Sequence, residues 1–492
     1  MSGHRPDPVS VFVRSVLPLV LFAALVAALT AEASLPLGNF DTYFHLRFGE
    51  EFLSGAWSLT HPGHVSTLEH AHWVPTQWLS EIVMAKVQQL FGLAGVAWLS
   101  GLLSLTLAAS LYVGARRSTT MLAASILTAM AIFASTPGIS MRPQMVSYIL
   151  VAVTTILWVR AAERRTAPWV LVPLTWLWAM CHGMWPVGIA VGVVAALGIW
   201  MQQRTRRAAL PFFGVPVASA VAAALTPVGP ALYPAVLLVA SRRGHFTEWA
   251  PPDFTQPHTI ALLVLFLIAF TALARSEVRD WFDILMLGLS LVAMVYSNRT
   301  VPAAAAMLVP LSARLVQPHL TRRAPVGTLE RRIVTALVLA ALSVLAFVAP
   351  TRADHPPPQP AWVSSELGSL PPGTTLLANQ LYGGYLMWRY PQLNLVAHGY
   401  GDVYTNAELE RITDLATLAP SWDRLLCQTG AHYALLSRSW PLSYALIHDG
   451  WRVKEQNRDI DMLTAPAAWA ARCPDHAVQP TPAVGALSAT IR

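Results

Sequence analysis

Ile260-Ala261-Leu262-Leu263-Val264-Leu265-Phe266-Leu267-Ile268-Ala269-Phe270-Thr271-Ala272-Leu273-Ala274 carries no charge and runs straight into Arg275-Ser276-Glu277-Val278-Arg279. With His258 and Thr259 it forms a stretch, 258–275, whose helical length at about 1.5 Å per residue approaches the roughly 30 Å of a bilayer's hydrocarbon core. Its arginines stop it where translocation becomes costly. Working outward, about eleven such stretches occur. They lie near 11–31, 92–114, 120–138, 144–162, 167–182, 184–202, 208–227, 258–275, 281–297, 301–316 and 332–350. The first lacks a small-residue cleavage site after a short apolar core, so it reads as a retained anchor.

Composition agrees. Of 492 residues 54% are hydrophobic and 12% charged, against about a quarter charged in soluble domains. The expected fold is a polytopic α-helical membrane protein of about eleven spans with a small C-terminal extracytoplasmic α/β domain. The net charge of +7 comes from 33 Lys+Arg against 26 Asp+Glu. In such a chain the placement of arginines matters more than their sum, and nucleic acid is not an expected partner. Arg5 and Arg14, Arg116 and Arg117, Arg160 with Arg164 and Arg165, Arg204 with Arg206 and Arg207, Arg275 with Arg279, and Arg314 through Arg332 fall in alternate loops. That alternation places the N-terminus in the cytoplasm and the region after Pro350 on the outer face of the membrane.

Two outer stretches are long: the first loop, 32–91, and a second, 226–257. In the first, Asp41 to Leu53 has aromatics and leucines at helical spacing after an acid suited to an N-cap, and reads as an amphipathic helix lying on the membrane. Trp73, Trp78 and Leu79 open a second such helix at interfacial depth. In the other loop, Thr226-Pro227-Val228-Gly229-Pro230 breaks the preceding helix, and a short helix leads to Glu248-Trp249. Arg142-Pro143, His182-Gly183 and Asn298-Arg299 sit at outer turns. Ionisable groups near a membrane face are functional candidates by default. Each has a plainer reading: Asp41 as a helix cap, Glu248 and Arg299 as a structural pair, His45 and His182 as packed hydrogen-bonded residues, Arg142 as a side chain snorkelling to headgroups. Together, acids, histidines and arginines converge at one depth.

After Pro350 the composition shifts. The membrane module is 1–350, a Pro-rich linker covers 351–375, an extracytoplasmic α/β domain covers 376–473, and 474–492 reads as a flexible tail rich in Pro and Ala. Leu376 to Ala378, Asn394 to Ala397 and Tyr433 to Leu436 read as buried strands, with Val453 and Met462 to Leu463 as edge strands. Helical patterns run from Glu408 to Leu418 and from Leu442 to His448. Gly383-Gly384-Tyr385-Leu386 lacks the lysine and hydroxyl of a phosphate loop and reads as a strand-to-helix turn. Of three cysteines, Cys181, Cys427 and Cys473, the last two can pair only if their region lies outside the cytoplasm. The sequence leaves that pairing open.

Asp41-x-x-Phe44-His45-Leu46, Trp73 to Glu81, Arg142-Pro143-Gln144, Trp178 through His182-Gly183, Thr226-Pro227-x-Gly229 and Glu248-Trp249 together resemble bacterial members of the GT-C superfamily of membrane glycosyltransferases. The resemblance is to a branch sharing architecture with protein mannosyltransferases and oligosaccharyltransferases. It implies sugar transfer from a polyprenyl-phosphate carrier to an extracytoplasmic acceptor, a glycan, lipid or protein, among membrane lipids. It implies Asp41 as general base and Glu248 as a second catalytic carboxylate positioning the acceptor or carrying another proton. Arg142 and Arg299 would neutralise the carrier phosphate, with His45, His182 and Trp249 also binding substrate. Two departures stand out: Met180 occupies a position often held by Asn, and His398-Gly399-Tyr400 stands where the branch has an Asp-Gly-Arg-like stretch. Asp41 is followed by Thr42 and Tyr43 rather than a second acid, so no cofactor and no obligatory divalent metal is expected. The competing classes are a noncatalytic envelope-assembly scaffold and a lipid or solute transporter, the latter expected to show inverted repeats and helices broken near the midplane. An acyltransferase built on His182 is a third.

Overall fold

In a computed structural model of the chain, residues 15–69, 72–202, 206–320, 325–357, 359–469 and 473 are described. Arg5, Arg14, Arg204 and the expected tail 474–492 lie outside them. The chain divides into two compact units: one made of Met1–Pro36, Leu90–Leu232 and Phe246–His355, the other of Leu37–Gln89, Tyr233–His245 and Pro356–Arg492.

The first unit is a helical bundle, and the chain is a multi-pass membrane protein. Seven helices of the described residues are long and apolar enough to cross a bilayer: Trp78–Ser118, Met121–Gly138, Gln144–Arg164, Trp185–Gln202, Pro257–Ala274, Asn298–His319 and Thr328–Arg352. A bent pair, Leu210–Ala224 with Gly229–His245, makes an eighth if counted as one span. The three other expected spans fall on shorter apolar helices, Leu17–Ala33, Leu171–Cys181 and Trp281–Tyr296. At about 1.5 Å per residue an eleven-residue helix such as Leu171–Cys181 covers little more than half the hydrocarbon.

Val301–Val316 is the bundle's central helix. Its alanines Ala303–Ala306 let neighbours approach closely, and almost every residue of it is buried. It packs against Met121–Ser135, Gln144–Arg164, Pro257–Ala274 and Trp281–Tyr296. Near its C-terminal end Arg314 reaches Asp283 at 3.0 Å, Asp280 at 2.9 Å and Glu163 at 3.5 Å. Arg116 grips Glu330 with two nitrogens, at 2.8 and 3.0 Å. Helix direction sorts the arginines: Arg116, Arg164, Arg275 and Arg314 all lie in last turns or just after them. Arg142 and Arg299 precede the helices that follow them, at the other end.

The second unit is built on a five-stranded sheet of order β2-β1-β3-β5-β4, with β1 Thr375–Ala378, β2 Asn394–Leu395, β3 Tyr433–Ser437, β4 Arg452–Gln456 and β5 Ile460–Thr464. β1 is parallel to β2 and β3, and β5 is antiparallel to β3 and β4. Met462 and Leu463 therefore lie on an interior strand, not the expected edge, because both side chains are fully buried. The true edge is β4, exposed along its length and guarded by Arg452, Lys454 and Glu455. Outside β2 the first loop adds a parallel bridge, Ser66 to Leu395, with Thr67 N–H donating to Leu395 O at 2.8 Å. Cys427 and Cys473 are joined by a disulfide, and Cys181 is a buried thiol.

Four local expectations change here. The helix Asp41–Ser54 does not lie on a lipid surface: Tyr43, Phe44, His45, Leu46, Phe48 and Gly49 are buried in the unit's core. It packs on Gln380–Arg389, where a side chain at Gly384 would come within 2.5 Å of Phe40 O. Gly383 and Gly384 are thus helix positions chosen for close approach, not a strand-to-helix turn. Trp73 is no interfacial anchor: it is 3% exposed, donates to Gly63 O at 3.0 Å, and packs its ring with Phe48, Trp57 and Tyr400. Trp78 opens a helix that ends at Gly92, whose backbone (φ 66°, ψ −166°) is non-helical, so it is distinct from the span that runs on to Ser118, as the sequence suggested. The stretch read as linker, 351–375, contains the helix Ala361–Ser369, whose Val363 and Leu367 are buried one turn apart.

Candidate functional site

At the end of the bundle opposite Arg314, three turns carry the first group of candidates. Pro143 starts the helix Gln144–Arg164 and leaves Arg142 just before it. Arg142, only 8% exposed, donates from Nε to Ser140 Oγ at 3.1 Å and from Nη1 to Glu248 Oε1 at 2.6 Å. Ser297 and Thr300 form a capping box that shapes the turn holding Arg299, and Asn298 N–H donates to Ala250 O at 2.9 Å, pinning that turn to the Glu248-Trp249 segment. The Arg299 guanidinium lies 5.2 Å over the Trp249 ring. Its Nη2 stands 3.4 Å from His182 Nε2.

The tautomer of His182 follows from its neighbours. Arginine only donates, so Nε2 accepts and the proton of the neutral ring sits on Nδ1, which donates to Ser147 Oγ at 2.7 Å. Ser147 also accepts from Trp178 Nε1 at 2.7 Å. Burial would raise the Glu248 carboxyl, but Arg142 and Arg299 outweigh it and hold the group below the usual carboxylate range. Glu248 is therefore ionised at neutral pH, which suits a charge partner of Arg142 better than a proton carrier. Arg142, His182, Glu248, Trp249 and Arg299 are thus brought together, with two guanidiniums against one carboxylate.

Asp41 and His45 belong to the second unit. Asp41 opens its helix, donating its N–H to Asn39 Oδ1 at 2.9 Å. Its carboxylate lies beside Gly399, 3.9 Å from where a side chain would begin. His45, 3% exposed, is committed to Glu81, with Nδ1 at 2.9 Å from Oε1 of a carboxylate fully buried. Around them runs a polar network that the motif reading quoted in part but assigned no role. Gln77 Nε2 donates to the Tyr400 hydroxyl at 3.0 Å, and Thr76 Oγ1 donates to Asp402 Oδ2 at 3.1 Å. Arg242 Nη1 donates to the carbonyls of Gly401 and Asp402, both at 2.9 Å. Arg242 had a legible signal, being an arginine in an outer loop against the general trend. Glu81 had only its place in the Trp73 to Glu81 stretch.

Among the described residues no three His, Cys, Asp or Glu side chains converge as metal ligands.

No family model matches the chain, and no curated protein matches it. Among solved structures it is similar to the apo oligosaccharyltransferase of Archaeoglobus fulgidus, with a TM-score of 0.49 and 12% identity over 86% of this chain and 69% of that one. It is also similar to the mycobacterial arabinofuranosyltransferase AftD, with a TM-score of 0.44 and 13% identity over 91% of this chain and 41% of that one. Likenesses of this size assign no residue a role.

Proposed function

We propose that the chain is a GT-C-type membrane glycosyltransferase that moves a sugar from a polyprenyl-phosphate carrier to an extracytoplasmic acceptor. The observation that carries this reading is the Arg142–Glu248–Arg299–His182 cluster: two fixed guanidiniums with one carboxylate, at the bundle end away from most arginines. Such an excess of positive charge in a half-dry setting suits a phosphate, and guanidinium forks match its oxygens. The Cys427–Cys473 disulfide supports an oxidising, extracytoplasmic location for the C-terminal region, which goes with a cytoplasmic N-terminus if the number of crossings is odd.

In the proposed reaction the Asp41 carboxylate takes the proton from the acceptor hydroxyl, and that oxygen attacks the anomeric carbon. The bond from that carbon to the carrier phosphate breaks, and its electron pair leaves on the phosphate oxygen, steadied by Arg142 and Arg299. Glu248 orients Arg142, and His45 holds Glu81 rather than touching substrate. A lipid carrier is required because nucleotide sugars do not reach the outer face.

The test compares envelope glycans and lipid-linked sugars in cells carrying wild type, a deletion or Asp41→Asn at equal protein level. A sugar linkage missing in both mutants, with its lipid-linked donor accumulating, is the expected outcome. An Asp41→Asn strain identical to wild type beside a defective deletion would make Asp41 structural and favour a scaffold or transporter.

A further inference from the structure

The first unit holds a cavity of about 310 Å³ that the proposed chemistry has not used, lined among others by Gly138, Asp253, Gln256, His258, Asn298 and Pro302. That volume is at the lower bound for small-molecule sites, which run from roughly 300 Å³ upward, and suits one monosaccharide ring rather than a chain. Three segments wall it, and each continues into the arginine cluster. Asn298 directly precedes Arg299, Asp253 follows Trp249 by four residues, and Gly138 O accepts from Gln144 Nε2 at 3.2 Å, two residues beyond Arg142.

The lining's chemistry differs from that of the cluster. Its one formal charge is negative. Asp253 is held in place by Thr255 N–H at 2.9 Å, Thr255 Oγ1 at 2.8 Å and Gln256 Nε2 at 3.2 Å. The first two of these hydrogen bonds are the main reason its carboxyl sits below the usual range. A carboxylate has about four acceptor sites, so capacity remains for a ligand hydroxyl. Among the described residues, neither the Asn298 amide nor the His258 ring makes a side-chain hydrogen bond within the protein. Pro137, Gly138, Val301 and Pro302 supply an apolar wall. Gly138 has to lack a side chain here, since one would come within 2.7 Å of Pro302 Cγ and 3.0 Å of the Tyr148 hydroxyl.

We infer that this cavity is a sugar subsite, taking one uncharged monosaccharide ring whose hydroxyls meet Asp253, Gln256, His258 and Asn298 while a carbon face rests on the prolines. A planar carboxylate, two amides and an imidazole offer donors and acceptors spaced for vicinal hydroxyls, whereas a phosphate would be repelled by Asp253 and drawn to the arginines. This rests on the transferase reading. The ring belongs either to the lipid-linked donor or to the acceptor glycan.

The experiment measures binding to the full-length protein in lipid nanodiscs by native mass spectrometry, with three probes: bare polyprenyl phosphate, polyprenyl phosphate bearing one neutral hexose or pentose, and a free neutral oligosaccharide. Asn298→Ala and His258→Gln are compared with wild type, with Asp253→Asn as the variant that keeps the local turn. Each should weaken a sugar-bearing probe by about tenfold, the equivalent of one hydrogen bond, and leave bare polyprenyl phosphate unchanged. Loss on the lipid-linked probe assigns the ring to the donor; loss on the free oligosaccharide alone assigns it to the acceptor. If the variants bind all three probes as wild type does while Arg299→Gln loses the bare lipid phosphate, the subsite is refuted and the transferase reading stands. If wild type binds no polyprenyl phosphate, with or without sugar, both fall.

Discussion

Removing His45 should be among the most damaging single changes in the second unit. Its partner Glu81 is fully buried, and His45 Nδ1 lies 2.9 Å from Oε1. His45→Ala leaves the buried Glu81 carboxyl without its imidazole partner, and an unsatisfied buried polar group costs about 1–3 kcal/mol. Glu81→Gln keeps the shape and a carbonyl to face the ring, so about 1 kcal/mol is expected, the worth of a neutral hydrogen bond. Replacing both partners by leucine should recover most of the loss, because apolar substitutes for a buried pair are often neutral or better. The assay is pulse proteolysis of the second unit along an SDS titration in mixed micelles, with wild type, His45→Ala, Glu81→Gln and the variant carrying both of these changes forming a double-mutant cycle. If His45→Ala stays within about 1 kcal/mol of wild type and the two changes add, the pair is wet and its assignment to the core is wrong.

Three further outcomes follow from other contacts. Glu69 accepts from Val65 N–H at 2.9 Å and Ser66 N–H at 2.7 Å and lies 3.3 Å from His398 Nε2. Although burial pushes its carboxyl up, His398 and these amides hold it below the usual range. A depressed acid stabilises the fold above its unfolded value near 4.3 and loses that contribution as pH falls toward its folded value. The unfolding midpoint of the second unit should therefore drop below about pH 4.3, and Glu69→Gln, less stable at neutral pH, should flatten that arm of the profile. Maleimide labelling of the denatured protein should count one thiol without reductant, Cys181, and all three after reduction. A count of three before reduction would remove the disulfide. Gly384→Ala should destabilise the second unit by about 1–3 kcal/mol, because a methyl there would meet the Phe40 carbonyl at 2.5 Å. A variant as resistant to proteolysis as wild type would mean the two helices can separate freely.

The membrane helices were legible because hydrocarbon allows few solutions: an uncharged run such as 260–274 ended by arginines has almost no alternative to a span. Leu376 to Ala378 and Tyr433 to Leu436 were legible for a related reason, as short apolar runs bounded by turns. Asp41 to Leu53 was misread because amphipathic spacing records that a face is covered and not what covers it. Its covering helix, Gln380–Arg389, lies more than 300 residues away in sequence, and its two glycines announce only flexibility until a neighbouring backbone is seen against them. Met462-Leu463 was placed at an edge for the same reason, since strand order depends on pairings that no local pattern contains. Among the candidates, Arg142 and Glu248 were each visible as charges against the trend. Their mutual contact was not, because 106 residues separate them.

That contact sets what Glu248 should do to ligand affinity. If the arginines hold a carrier phosphate, Glu248 both orients Arg142 and opposes the phosphate charge, and the two effects have opposite signs. A phosphate oxygen and the Glu248 carboxylate sharing one guanidinium would lie about 5–6 Å apart, where like charges at an effective dielectric of about 20 repel by roughly 3 kcal/mol. The Glu248 side chain is 41% exposed, and solvent screening should cut this to about half. Glu248→Gln keeps an acceptor for Arg142 while removing the charge, so polyprenyl phosphate should bind about tenfold more tightly at low salt, with the gain shrinking as ionic strength rises. Arg142→Gln should do the reverse. Titration of both variants in nanodiscs at two salt concentrations separates the possibilities. If Glu248→Gln weakens binding as much as Arg142→Gln does, the carboxylate matters through geometry alone, and the cluster is a rigid clamp rather than a reserve of unneutralised positive charge.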